Sequence, residues 1–231
     1  MDASELLRPG LLKGVSIVLA GATVGTGGDE ARRSLANEVG SACAGLGARV
    51  LELSLDAGGG EPELGETVER LLAGVSGEQE VLVIDGAGIF ANALASSNSG
   101  GGSASAREAL RAGLDTSWSV THALVNHAFL PHGRGGRIIY LAPGADAGEY
   151  AGAALSGLEN LARTLSIEWA RHGITTIAVA PPSGSVDSVA GDVAALTAYL
   201  ASPAGAYFSG CLLDLRGPIA ALSCLGGSRS R

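Results

Sequence analysis

The chain has 231 residues, 23 acidic against 15 basic side chains and a net charge of −8, with a mean hydropathy of +0.30. That composition excludes a disordered chain, and the length suits one domain, 1–231, with a sizeable core. The acidic balance and the lack of a basic stripe argue against nucleic acid or an anionic membrane as partner.

The apolar runs Val15–Ala20, Val81–Ile84, Ile138–Ala142 and Ile174–Ala180 are all short. None approaches the ~18 to 20 residues a membrane helix needs. Met1 to Gly14 carries Asp2 and Glu5 and no long apolar stretch, so no signal peptide is expected. Cys43, Cys211 and Cys224 are odd in number and poorly spaced for a metal. They read as reduced thiols in a cytoplasmic protein, and no metal site is expected. Lys13 is the only lysine.

In chain order, Val15–Ala20 predicts a buried strand, 29–46 a helix and 49–55 a strand. Residues 64–73 predict a helix and 80–84 a strand. The small, polar stretch 91–106 (ANALASSNSGGGSASA) reads as a flexible loop. A long helix follows over 106–130, a strand over 137–142, a helix over 150–172 and a strand over Ile174–Ala180. Residues 189–200 predict a helix, 211–215 a last strand, and 226–231 (GGSRSR) a disordered tail. Continuous apolar strands alternating with helices imply an α/β fold, a single doubly wound, mostly parallel sheet of about six strands.

The first strand runs into Gly21-Ala22-Thr23-Val24-Gly25-Thr26-Gly27. Glycines spaced in this way let a backbone turn tightly and approach a pyrophosphate at a helix N-terminus. Alone, such a loop fits a ligand-free turn as well.

Further stretches fall into order with it. Asp85-Gly86-Ala87-Gly88 follows the strand 80–84, GRIIYL fills 136–141, LENLARTLSIEWARHGITTIAVA fills 158–180, and LASPAGAYFSGCLLDL fills 200–215. Over roughly 11–217 the chain resembles the short-chain dehydrogenase/reductase family. The resemblance implies a Rossmann-type sheet, NAD or NADP as cofactor, and Gly21, Gly25, Gly27, Asp56, Asp85 and Gly86 as the cofactor-binding positions.

The resemblance also implies a tyrosine acid, a lysine four residues on that lowers its pKa, a polarising serine and a supporting asparagine. Such chemistry needs a general acid tuned by a nearby cation. Aligned on Glu168, the tyrosine position falls on Ala151 and the lysine position on Leu155. Taking Tyr150 as the tyrosine moves the lysine position to Ala154. The serine position falls on Ala142 or Pro143, and the asparagine position, aligned on Thr121, on Gly113. All four roles read as empty, with Tyr150 the one residue that offers a displaced acid.

Two units also read as missing. Gly28 to Glu80 spans 53 residues and shows one strand, whereas two strands and three helices with loops need roughly 60 or more. Past the strand Ile174–Ala180, PPSGS leads almost at once into the next helix, without a substrate-covering insertion.

These readings converge on a non-catalytic protein of that fold, a structural or regulatory subunit with vestigial cofactor positions and no cofactor of its own. It would assemble as a homo-oligomer, or with an intact paralogue, through the helices 106–130 and 150–172. One alternative is an NAD(P)-dependent oxidoreductase with a rearranged site, and another is a nucleotide sensor that keeps the glycine loop. His122 and His127, five apart, do not form the i, i+4 pair a helical metal site uses.

Overall fold

The alternation of apolar strands and helices builds a six-stranded, all-parallel sheet of order β2-β1-β3-β4-β5-β6. The computed structural model describes residues 3–21, 35–55, 61–72, 79–97, 103–133, 135–184 and 186–217. The strands are β1 Val15–Ala20, β2 Arg49–Leu53, β3 Gln79–Ile84, β4 Gly136–Leu141, β5 Ile174–Ala180 and β6 Cys211–Asp214. The helices are α1 Ala3–Leu6, α2 Leu35–Gly45, α3 Glu61–Leu72, α4 Gly86–Ser97, α5 Ser103–Leu124, α6 Leu130–His132, α7 Ala151–Glu168 and α8 Val186–Ala201. Strands β1 and β5 have the bounds the sequence predicts, and the other four agree within two residues.

Strand residues point alternately to the two faces of a sheet, so both faces must be apolar when helices cover both. Ile17, Leu19, Val83, Ile139 and Val179 pack with Val39 and Cys43 of α2 and with Val193 and Ala198 of α8. Their neighbours Val18, Leu82, Ile84, Ile138 and Ala178 pack on the opposite face with Val120 and Leu124 of α5 and with Leu158 and Ala162 of α7.

The interval expected as a loop, 91–106, is helical at both ends. Helix α4 runs to Ser97 and α5 starts at Ser103, while 98–102 lie outside the described residues. The alanines at 91, 93 and 95 are strong helix formers, and Ile89 and Phe90 at the start of α4 are buried. Tertiary packing therefore holds a helix that local polarity disguises.

Helix α5 passes through a π-helical turn, Val125–Phe129, into α6, which ends where Gly133 takes a left-handed φ of 61°. Pro131 has no N–H for the helical ladder, which widens just before it. Among the described residues, no helix is long and apolar enough to cross a membrane. The predicted tail 226–231 lies outside the described residues.

Candidate functional site

The chain turns to opposite sides of β1, to β2 on one side and β3 on the other. Crevices at such a reversal, beyond the carboxyl ends of the strands, are where open α/β sheets bind ligands. Register brings the ends level, since Ala20 lies beside both Leu53 and Ile84. Gly21, just beyond β1, takes φ +92°, and a Cβ there would stand 3.0 Å from Ile89 Cγ1 and 3.3 Å from the Asp85 carbonyl oxygen. A side chain at this position meets both backbone strain and a collision.

Asp85 closes the end of β3. Its N–H donates to the Ala20 carbonyl at 2.8 Å, its carbonyl accepts from Ile89 N–H at 2.9 Å, and its Oδ1 accepts from Gly88 N–H at 2.9 Å. It is thus the N-cap of α4, satisfying a donor that the helix start leaves free. The residue is 1% exposed, and its other oxygen, Oδ2, is buried without a hydrogen-bond partner. Burial pushes its carboxyl up to about 6, against the lowering effect of the Gly88 N–H. Gly86 packs so closely that a Cβ would lie 2.6 Å from Leu158 Cδ1 and 2.9 Å from the Leu141 carbonyl oxygen.

Of the expected cofactor positions, the structure brings Gly21, Asp85 and Gly86 together at the ends of β1 and β3. Gly25, Gly27 and Asp56 lie outside the described residues.

The positions assigned to proton transfer lie further along the same edge. Ala151, Ala154, Leu155 and Ala142 are all buried. Phe90 of α4 forms a small apolar cluster with Ala151 and Ala154, flanked by Leu94 and Leu110. The backbone of Phe90 comes within 3.7 Å of where a Gly113 Cβ would stand. The recess between these helices is lined by Gly86, Phe90, Leu110, Gly113, Ala154 and Leu158, with Leu114 and Ser117. Ser117 is its polar member, and its hydroxyl donates to the Gly113 carbonyl at 2.9 Å.

Tyr150 is the N-cap of α7 and, with φ 67°, the one non-glycine residue of positive φ among the described residues. It is half-buried, and its carbonyl accepts from Ala154 N–H at 2.9 Å. Lys13 is exposed and precedes β1. In an all-parallel sheet this puts the lone lysine at the opposite end from the crevice.

The sequence reading missed Phe90 as the residue that fills the recess and Asp85 as the cap that starts α4. A visible signal was present, an Asp followed by an alanine-rich, apolar stretch (GAGIFANALA).

No protein-family model matches the sequence, and no curated protein matches it. Solved structures do match. The citronellol catabolism dehydrogenase of Pseudomonas aeruginosa PAO1 is 23% identical, with a TM-score of 0.66 over 90% of this chain and 96% of that one. A short chain dehydrogenase of Salmonella enterica serovar Typhi is 13% identical, with a TM-score of 0.68 over 91% of this chain and 99% of that one. The 2-keto-3-deoxy-D-gluconate dehydrogenase of Streptococcus agalactiae is 18% identical, with a TM-score of 0.65 over 95% and 99%. The chain has the fold of these dehydrogenases along nearly their whole length.

Proposed function

We propose that the chain is a short-chain dehydrogenase/reductase homologue that serves an oligomer as a structural or regulatory subunit, without the family's proton-transfer chemistry of its own. The observation that carries this reading is the apolar filling of the recess by Phe90, Ala151, Ala154 and Leu158. A general acid working near neutral pH needs a neighbouring cation or a polar, hydrogen-bonded setting. Among the described residues the recess is lined by no cation, its polar member Ser117 already donates to the Gly113 carbonyl, and the single lysine stands at the far end of the sheet.

One feature of the β1–β3 edge supports a dinucleotide there, the buried Asp85 oxygen without a hydrogen-bond partner, whereas Gly21 serves the close packing of Ile89 and the Asp85 backbone on β1. Gly21, Asp85 and Gly86 would hold NAD or NADP there, and the bound nicotinamide would supply hydride transfer. Assembly would use α5 and α7, within the helices expected at 106–130 and 150–172, with a second copy or an intact paralogue as partner.

The second reading, an NAD(P)-dependent oxidoreductase with a rearranged site, is favoured by the neighbours. All three solved structures named above are dehydrogenases, which supports oxidoreductase chemistry more directly than a subunit role. Tyr150, beside the recess, is the acid this reading requires.

A fluorescence titration with NADH and NADPH to millimolar concentration, paired with turnover assays on small alcohols and ketones, separates the two. Absence of turnover in the isolated chain, with turnover appearing in a co-purified oligomer, supports the subunit. Turnover by the isolated chain that Tyr150→Phe abolishes establishes the rearranged enzyme.

A further inference from the structure

We propose that the connection between β4 and α7, residues 142–150, is a strap with two positions, latched shut by Asp146 and driven toward opening by the left-handed backbone of Tyr150. The inference stands whether or not the β1–β3 crevice takes a ligand.

The strap is built from two turns in succession. Ala147 N–H donates to the Gly144 carbonyl at 3.1 Å, and Ala151 N–H to the Gly148 carbonyl at 3.2 Å. Tyr150 is the third residue of the second turn, with φ 67° and ψ 6°, while Glu149 is not among the residues of positive φ. That is the type II arrangement, whose third residue is ordinarily glycine or asparagine because a Cβ there is crowded. A tyrosine in this place stores strain, and such strain persists only where surrounding contacts hold it.

Two contacts tie the strap to its neighbours. Gly148 rests on α4, where a Cβ would stand 3.6 Å from Leu94 Cδ1. Asp146 reaches the loop after β5, where its Oδ2 accepts from Gly184 N–H at 3.1 Å. The two loops are close here, since a Cβ on Gly144 would lie 2.8 Å from Asp146 Oδ1 and 3.8 Å from the Pro182 carbonyl oxygen. Gly184 stands two residues ahead of α8, so the carboxylate also meets the positive end of that helix dipole.

Residues 145–149 are exposed, so no buried apolar side chain anchors the strap between its ends. The cost of one left-handed non-glycine residue and the worth of one charge-assisted hydrogen bond are of the same order. Latch and strain are therefore of comparable size, which makes two positions accessible. Opening lifts the strap off Leu94, which flanks the Phe90–Ala151–Ala154 filling of the recess, and uncovers that filling from the carboxyl edge of the sheet.

Amide hydrogen exchange, resolved residue by residue by NMR at pH 7, tests this. The amides of Ala147, Ala151 and Ala154 report the strap, and that of Ala142, which donates to the Val179 carbonyl at 2.9 Å, reports the sheet. Asp146→Ala should speed exchange at the three strap amides about tenfold and leave Ala142 within about twofold of the wild type. Two double variants then isolate the strain, Asp146→Ala with Tyr150→Ala and Asp146→Ala with Tyr150→Gly. Both lack the tyrosine side chain and they differ by one Cβ, so the glycine form should exchange about fivefold more slowly at the strap amides. Strap exchange unchanged by Asp146→Ala overturns the latch, and equal exchange in the two double variants overturns the strain; either result overturns the proposal. So does acceleration of Ala142 in step with the strap, because the connection would then open only with the whole domain.

Discussion

Arg137 of β4 reaches across the sheet edge to the end of α8, where its Nη1 donates to the Ser202 carbonyl at 2.6 Å. The same nitrogen donates to the Leu200 carbonyl. The residue is 3% exposed, and burial pushes its guanidinium down to about 10. A cation at a helix C-terminus meets both the free carbonyls and the negative end of the helix dipole. Arg137→Ala should therefore cost about 3 kcal/mol, lowering Tm by roughly 6–12 °C in a chain of this size. Thermal melts followed by circular dichroism measure it, and a loss below about 1 kcal/mol would remove Arg137 from this role.

Asp85 should make stability fall as pH rises. Its folded carboxyl titrates near 6, above an unfolded value of 3.8, so its contribution is full below the lower value and gone above the higher one. The difference is about 3 kcal/mol. Urea unfolding of the wild type and Asp85→Asn at pH 3.5 and pH 7.5 reads this directly. The variant's stability relative to wild type should improve by about that amount at the higher pH. An unchanged difference would mean that the carboxyl titrates alike in the folded and the unfolded chain.

Gly21→Ala should destabilise the apo protein by about 1–3 kcal/mol, because a positive φ and a collision with Ile89 coincide there. Gly113→Ala should do the reverse. It lies within α5, where a Cβ would make ordinary contacts of 3.7–3.9 Å with Phe90, and it should gain roughly 0.5–1 kcal/mol from reduced backbone entropy. Denaturant midpoints of the two variants should move in opposite directions.

Restoring the resembled acid and base, as Ala151→Tyr with Leu155→Lys, should not create an active site. Both positions are buried, and the ammonium would enter an apolar cluster with no carboxylate in it. The expected outcome is a loss of several kcal/mol and no NADH-dependent reduction of carbonyl compounds. A double variant with wild-type stability would show that the recess opens more readily than its packing indicates.

The crevice was partly legible in advance. Gly21, Asp85 and Gly86 stand out in sequence because glycine after a buried strand marks close backbone approach, and the structure gathers them. The recess beside them was not legible. The alanines of ANALASSN favour a helix, but its packing depends on Phe90 finding Ala151 and Ala154, more than 60 residues away. Arg137 was invisible for a similar reason. An arginine inside an apolar strand is tolerated only where a helix end, here that of α8, presents unpaired carbonyls.

By itself the sequence determined the fold class and the strand bounds, because the period of apolar residues and the glycines that interrupt it are local properties of the chain. Strand β1 and strand β5 are legible residue by residue for this reason. Only the tertiary structure decided what fills the carboxyl edge of the sheet. Whether a carboxyl is solvated or sealed, and whether a recess stays open or receives a phenylalanine, depends on which distant side chains meet there, and that is set by packing rather than by any local pattern.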